Sequence, residues 1–241
     1  MNVLVLSGDL GSGKSTVAKI LAPKMNAKIY STGQIMRNMA EKKGIPFVEF
    51  SKYAETHHEI DHEIDQATID LCADTRENLL IDSRMAWHFV PDSFSVYMMV
   101  CNTEAAKRIM AAQRPEERYS SLQEATKKIT DRRRSEKMRY SELYGVKLDD
   151  LNNYDYVIDT TALTPEVVAE KILAAFEQYR IDPKKRIEIC PKNVRVHTRS
   201  GDKVVISGQQ DEYYTVSGGD QLETSRGNGD VLIECEFINE A

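Results

Sequence analysis

Eight residues near the start of the chain, Gly8-Asp9-Leu10-Gly11-Ser12-Gly13-Lys14-Ser15, have the types and spacing of a phosphate cradle, G-x-x-x-x-G-K-[ST]. Glycines let a backbone wrap closely enough for its N–H groups to point at phosphate oxygens. A helix N-terminus behind the loop adds partial positive charge. In that geometry Lys14 reaches the β and γ phosphates of a triphosphate and the Ser15 hydroxyl meets Mg²⁺. Gly8, Gly11, Ser12, Gly13, Lys14, Ser15 and Thr16 are therefore expected to bind ATP.

A triphosphate site does not choose between a switch, a motor and a kinase, so a second substrate must be sought. Leu79-Leu80-Ile81-Asp82 is an apolar strand ending in a carboxylate, and Asp82 is expected to hold Mg²⁺ through water, opposite Ser15. Arg84 follows at the strand's carboxyl end, where open α/β sheets bind ligands. Arg37 lies in Ser31-Thr32-Gly33-Gln34-Ile35-Met36-Arg37, and the two arginines could clamp a phosphate bidentately. A third group, Arg108, Arg114, Arg118, Arg132, Arg133, Arg134 and Arg139, falls within a charged segment. A mobile arginine-bearing segment can neutralise charge developing on a transferring phosphoryl group while excluding water. Acids in the same stretch, Glu116, Glu117, Glu124, Asp131 and Glu136, read equally as partners on a charged helix.

The elements that position these residues alternate. Apolar runs at Val3–Leu6, Lys28–Tyr30, Leu79–Ile81, Ser95–Val100 and Tyr156–Ile158 read as strands. Between them Gly33–Lys43, Phe47–Glu55, Glu59–Cys72, Ala105–Gln113 and Leu122–Tyr144 have helical spacing. A last helix, Pro165–Tyr179, has Thr164 as N-cap. This order predicts an α/β fold, a parallel sheet flanked by helices, over residues 1–180. Residues 181–186 read as a linker. Residues 187–241 show period-two alternation and glycine turns, which predicts a small C-terminal all-β module. In it Val194–Thr198 and Lys203–Ser207 are expected to form a hairpin, followed by strands at Tyr213–Val216, Gln221–Thr224 and Val231–Phe237. A module of that size is near the lower limit for an independent core, so it is expected to pack on the rest of the chain or to self-associate with another copy.

Composition bounds the function. The chain has 241 residues, 41% hydrophobic and 29% charged, with a net charge of −6 that argues against general nucleic-acid binding. No apolar stretch approaches the roughly 20 residues of a membrane helix, and no signal peptide is evident, so a cytoplasmic protein is expected. Cys72, Cys101, Cys190 and Cys235 are scattered and read as free thiols.

Together these motifs resemble the archaeal-type cytidylate kinases, a family of P-loop nucleoside monophosphate kinases, over about residues 1–175. The likeness rests on the phosphate loop with its following Ser-Thr-Val-Ala, on residues 31–37, and on Ile81-Asp82-Ser83-Arg84. It extends to Ser135-Glu136, Arg139-Tyr140 and Tyr144-Gly145, and to Tyr154–Thr160. The resemblance implies transfer of the ATP γ-phosphoryl to a nucleoside monophosphate, CMP or dCMP being favoured. It further implies an acceptor-binding insertion at about 31–75, with Thr32, Arg37 and Arg84 on the acceptor, and a lid at about 114–132 with Arg114 and Arg132 acting beside Lys14 in catalysis. Two features depart from the family pattern: Asp82-Ser83-Arg84 where Glu-Gly-Arg is common, and Asp9-Leu10 in place of Pro-Pro. A carboxylate at Asp9 must point away from the phosphates or be compensated by a lid arginine.

Two rival readings remain at this stage. A P-loop kinase with a hydroxyl acceptor, of the dephospho-coenzyme A, shikimate or nucleoside type, would use Asp82 as base. A non-enzymatic nucleotide sensor would use the β module as its output. His58-Glu59-Ile60-Asp61-His62 spells H-E-x-x-H, in which two imidazoles at i and i+4 on a helix could bind Zn²⁺ with Glu59 as base. Its acidic, polar surroundings favour no resident metal. Asp61 and Asp65 read either as acceptors for a cytosine amino group or as a solvated acidic face, and Trp87 as core or pocket wall.

Overall fold

The computed structural model describes residues 2–74, 76–112, 119–208 and 212–239. Its centre is a ten-stranded sheet of order β2-β3-β1-β4-β5-β6-β10-β8-β9-β7. Strands β1 (Val3–Gly8), β2 (Ala27–Ser31), β3 (Asn78–Asp82), β4 (Phe94–Met99), β5 (Tyr156–Asp159) and β6 (Arg186–Ile189) run parallel. Every residue of β1, β4 and β5 is buried, as expected of parallel strands covered on both faces. On one face Leu4, Leu6 and Val96 pack against Val17 and Leu21 of α1 (Lys14–Met25) and Ile172 and Phe176 of α8 (Pro165–Ile181). On the other, Val3, Val5, Leu79 and Ile81 pack against Ala86 of the short α5 (Ala86–Phe89) and Val90.

Three helices follow β2: α2 (Thr32–Lys43), α3 (Phe47–Ala54) and α4 (Glu59–Asp74). They share a small core of Ala40, Phe50, Ala54, Ile60 and Ile64. After β4 come α6 (Asn102–Ala111) and the long α7 (Leu122–Tyr144). Ser121 starts α7 by accepting from Glu124 N at 3.1 Å, and Glu124 returns the bond to Ser120 N at 2.8 Å, a reciprocal cap. The lid expected at about 114–132 coincides with the first half of α7 from Leu122 onward; Arg114 and Arg118 lie outside the described residues.

The C-terminal segment differs from its expected all-β form. Residues 219–228 form a helix, α9 (Gly219–Asn228), where a strand at Gln221–Thr224 was expected. Leu222 and Ser225, three apart, are buried on one side of it, and Gly218 and Gly229 close its ends with φ of 72° and 78°. Those glycines are therefore helix ends and not hairpin turns. The hairpin is absent too: β7 (Val194–Arg195) and β8 (Val205–Ser207) flank β9 (Tyr213–Ser217), parallel and antiparallel to it respectively. Residues 196–204 thus cross over instead of turning. The last strand, β10 (Ile233–Phe237), runs antiparallel to β6, with Cys235 and Phe237 buried and Glu234 and Glu236 exposed, as its alternation predicts. The segment shares one core with the preceding chain: Tyr97, Met99, Leu151, Tyr154 and Val157 pack with Ile187, Ile206, Tyr213, Leu222 and Phe237.

Candidate functional site

A cleft of about 550 Å³ opens at the carboxyl ends of the parallel strands, with the phosphate loop at its floor. Gly11, Ser12, Gly13, Lys14, Ser15 and Thr16 line it, as do Thr32, Arg37, Asp82, Arg84 and Arg132. Gly8 lies behind the cleft. Its φ is 128°, and a Cβ there would come within 2.3 Å of the Met98 carbonyl oxygen on β4, so only glycine lets the loop leave the sheet this closely. Gly11 is confined likewise, a Cβ meeting the Ala105 carbonyl of α6 at 2.8 Å.

The loop is tied down from behind. Arg133 donates to the Leu10 carbonyl at 2.6 Å and bonds Asn102 on α6. The Asp9 carboxylate turns away from the cleft, accepting from Tyr97 Oη at 2.9 Å and from Val100 N at 3.0 Å. The departure from the family pattern is thus a buried anchor, and no lid arginine is needed to offset it. Lys14 Nζ donates to the carbonyls of Gly8 at 2.9 Å and Asp9 at 2.7 Å. Burial, then the Arg84 guanidinium, pulls its ammonium down to about 7. Triphosphate oxygens beside it would raise it again.

Ser15 Oγ donates to Asp82 Oδ2 at 2.8 Å, and Thr32 Oγ1 to the Asp82 carbonyl at 3.3 Å. A hydroxyl and a carboxylate facing one another across the cleft floor are hard oxygen ligands that suit Mg²⁺, which takes few protein groups and fills its octahedron with phosphate and water.

The side facing α2–α4 is built from charged side chains. Arg84 Nη1 donates to the Gly8 carbonyl at 2.7 Å, and its Nε pairs with Glu136 Oε2 at 3.0 Å. Glu136 Oε1 accepts from Arg132 Nε at 3.2 Å, so one carboxylate holds a strand-end arginine and a helix arginine together. Burial alone would raise the Glu136 carboxyl, but Arg84 and Arg132 outweigh it and hold it down at about 2. Phe47 lies between Arg37 and Arg132, whose guanidinium carbons stand 5.6 and 5.5 Å from its ring centre. Deeper in, Arg139 Nε faces Asp61 Oδ2 at 3.5 Å, both side chains 6% exposed. Neither of those two atoms has a hydrogen-bond partner among the described residues. Asp65 accepts from the Tyr144 hydroxyl, and burial lifts its carboxyl to about 6.

The opposite side is lined by Arg108, Ile109, Thr160, Leu163 and Pro165. Arg108 is held by the Thr160 carbonyl at 2.7 Å and by Glu104 at 3.1 Å.

In the sequence Glu136 reads as a helix-face partner, Arg133 and Arg139 only as members of the arginine group, and Asp61 as either a base contact or a solvated acid, while Phe47 has no assigned part and the pairing of Asp61 with Arg139 is not legible. The helical spacing of Arg132, Glu136, Arg139 and Tyr140 put them on one face of α7, a signal that could have marked the first three together. Asp61 joins them only through the fold. His62, at the end of the H-E-x-x-H run, packs edge-on to Tyr144, and no group of three metal-ligating side chains occurs among the described residues. Nor is any helix among them long and apolar enough to cross a membrane.

A phosphate loop on a parallel sheet flanked by helices defines a P-loop nucleotide-binding architecture. The model of the cytidylate kinase-like family matches residues 3–162, and the chain belongs to that family; its homologues named cytidylate kinases are phosphotransferases of the nucleoside monophosphate kinase type. It is 34% identical to a cytidylate kinase of Thermoplasma volcanium over 77% of this chain and 94% of that one. It is also 37% identical to an S-adenosylmethionine-dependent nucleotide dehydratase of Lacinutrix mariniflava, matching 73% of this chain but spanning only 36% of that protein. Among solved structures, shikimate kinase from Acinetobacter baumannii is similar in fold, with a TM-score of 0.52 at 18% identity, covering 76% of this chain and 96% of that one.

Proposed function

We propose that the protein transfers the γ-phosphoryl group of ATP to CMP or dCMP, with Mg²⁺. The reading is carried by the buried Asp61–Arg139 pair in the acceptor side of the cleft. Cytosine presents an amino donor at N4 beside acceptors at N3 and O2. A carboxylate can accept a hydrogen bond from the amino group while a guanidinium donates to the ring acceptors. Uracil would turn a carbonyl toward Asp61 and is disfavoured.

In this reading the N–H groups of residues 11–16 cradle the donor phosphates. Ser15, and Asp82 through water, would hold Mg²⁺, which would supply neutralisation of the donor phosphates' charge. Adenine takes the side lined by Arg108, Leu163 and Pro165. Arg37 and Arg84, with Thr32 nearby, bind the acceptor phosphate. Arg132 and Lys14, joined by Arg114 from the segment ahead of α7, stabilise charge on the equatorial oxygens. An acceptor phosphate oxygen is already anionic, so alignment replaces general-base chemistry. Glu136 keeps Arg84 and Arg132 apart from each other's charge until the acceptor phosphate competes for them.

An acceptor panel with Mg-ATP tests the reading. CMP and dCMP should be turned over faster than UMP and AMP, and shikimate, dephospho-coenzyme A and nucleosides not at all. A monophosphate rate no higher than background ATP hydrolysis would contradict it.

A further inference from the structure

The C-terminal segment lies beyond the residues that the family model matches, yet it reaches the donor side of the cleft through one carboxylate. Asp159 ends β5 and is 1% exposed. Its Oδ1 accepts from Thr161 N at 2.9 Å. Its Oδ2 accepts from Cys190 N at 3.1 Å and from Asn193 Nδ2 at 2.7 Å, both contributed by the C-terminal segment. The Asn193 amide also donates to Thr161 Oγ1 at 3.1 Å, which receives Cys101 N at the same distance.

The residues fixed in this way border the cleft. Thr160 Oγ1 lies 3.1 Å from the Ser12 carbonyl of the phosphate loop and 2.8 Å from that of Met99. The carbonyls of Thr160 and Thr161 accept from Arg108 at 2.7 and 3.2 Å. The loop then runs through Leu163 to Thr164, which caps α8. A buried carboxylate must keep its donors, because each one lost leaves charge unsatisfied in a region closed to water. The donors Cys190 N and Asn193 Nδ2 to Asp159 Oδ2 both come from residues after 185, so the conformation of residues 160–164 depends on the segment that follows the kinase-like part.

We propose that the C-terminal segment acts as a strut for the donor-nucleotide loop, with Asn193 and Asp159 as positioning residues that set affinity for ATP and not for the acceptor. This rests on the reading of the Arg108 side as the donor side. The full-length Asn193→Ala variant tests it, with ATP binding followed by calorimetry and both KM values by steady-state kinetics. The expected result is ATP Kd and KM raised about three- to tenfold, with kcat and the CMP KM within about twofold. Phe237→Leu, buried in the same segment but outside this network, controls for stability; it should lower Tm and leave the ATP KM alone. If Asn193→Ala does not fold, Thr161→Val removes the loop's side of the same contact and should give the same split. An unchanged ATP Kd in a variant with lowered Tm would overturn the strut. So would equal increases in both KM values. Absence of CMP turnover by the wild type would instead refute the proposed reaction, while calorimetry with ATP would still decide the strut.

Discussion

On the phosphate-loop side of the cleft the polar groups proposed to meet phosphate belong to one loop of backbone, held from behind by Arg133 on Leu10 and by Asp9 on Tyr97 and Val100. On the acceptor side the polar groups are side chains from β3, α2, α4 and α7, gathered around Glu136 and the Asp61–Arg139 pair. A backbone cradle recognises phosphate in any triphosphate, with little room to vary. A side-chain wall can be respecified residue by residue, which suits the half that must choose a base. The two halves meet at Arg84, which bonds the Gly8 carbonyl with one nitrogen and Glu136 with another.

Substitutions can break that contrast at graded depth. Lys14→Ala removes the ammonium proposed to meet the transferring phosphoryl group, and kcat should fall about 10²- to 10³-fold with the fold intact by circular dichroism. Glu136→Gln removes the carboxylate that bridges the half-buried guanidinium groups of Arg84 and Arg132. Steady-state assays should show kcat reduced by up to about 10²-fold through misplacement of both arginines, and urea titration a stability loss of about 1–3 kcal/mol, since both guanidinium groups keep some access to water. The Glu136 carboxyl stands at about 2 when folded against an ordinary 4.5. Its stabilising contribution is therefore full above about 4.5 and is lost as pH falls toward 2, so the variant should lose less stability than wild type over that interval.

Asp61→Asn sharpens the comparison, since it should act on one half alone. The CMP KM should rise about tenfold or more with the loss of a charged hydrogen bond, the preference for CMP over UMP should shrink, and the ATP KM should not move. The smallest effect on turnover is expected from Asp9→Asn. An amide can satisfy only one of the two donors facing it, so stability should fall by about 1–3 kcal/mol while kcat stays within about twofold. Asp9→Pro would be worse, because Asp9 N donates to the Met98 carbonyl at 2.9 Å.

The same contrast explains what could be read before the fold was seen. The phosphate loop, its strand and its helix are contiguous, so Gly8 to Thr16 announce their chemistry in order, and Leu79–Asp82 announces the facing carboxylate. The bounds of α7, Leu122–Tyr144, follow from Ser121 and Gly145 at its ends. The acceptor wall is assembled by tertiary contact: Asp61 and Arg139 are 78 positions apart, and only the packing of α4 on α7 turns an acidic helix face into half of a buried ion pair. The C-terminal segment misled for a local reason. Gly218 and Gly229 are as apt for helix ends as for hairpin turns, and the ten residues between them, with Leu222 their one large apolar side chain, carry little periodicity of either kind.

The central claim is that two nucleotides occupy one cleft at once, phosphates facing across Arg84. Calorimetric titration with a cytidine 5′–adenosine 5′ pentaphosphate, which links donor and acceptor, tests it most directly. Filling both sides should bind roughly 10²- to 10⁴-fold more tightly than ATP alone, and Asp61→Asn should erase much of that gain. A linked ligand no tighter than ATP, or one indifferent to Asp61, would contradict the account.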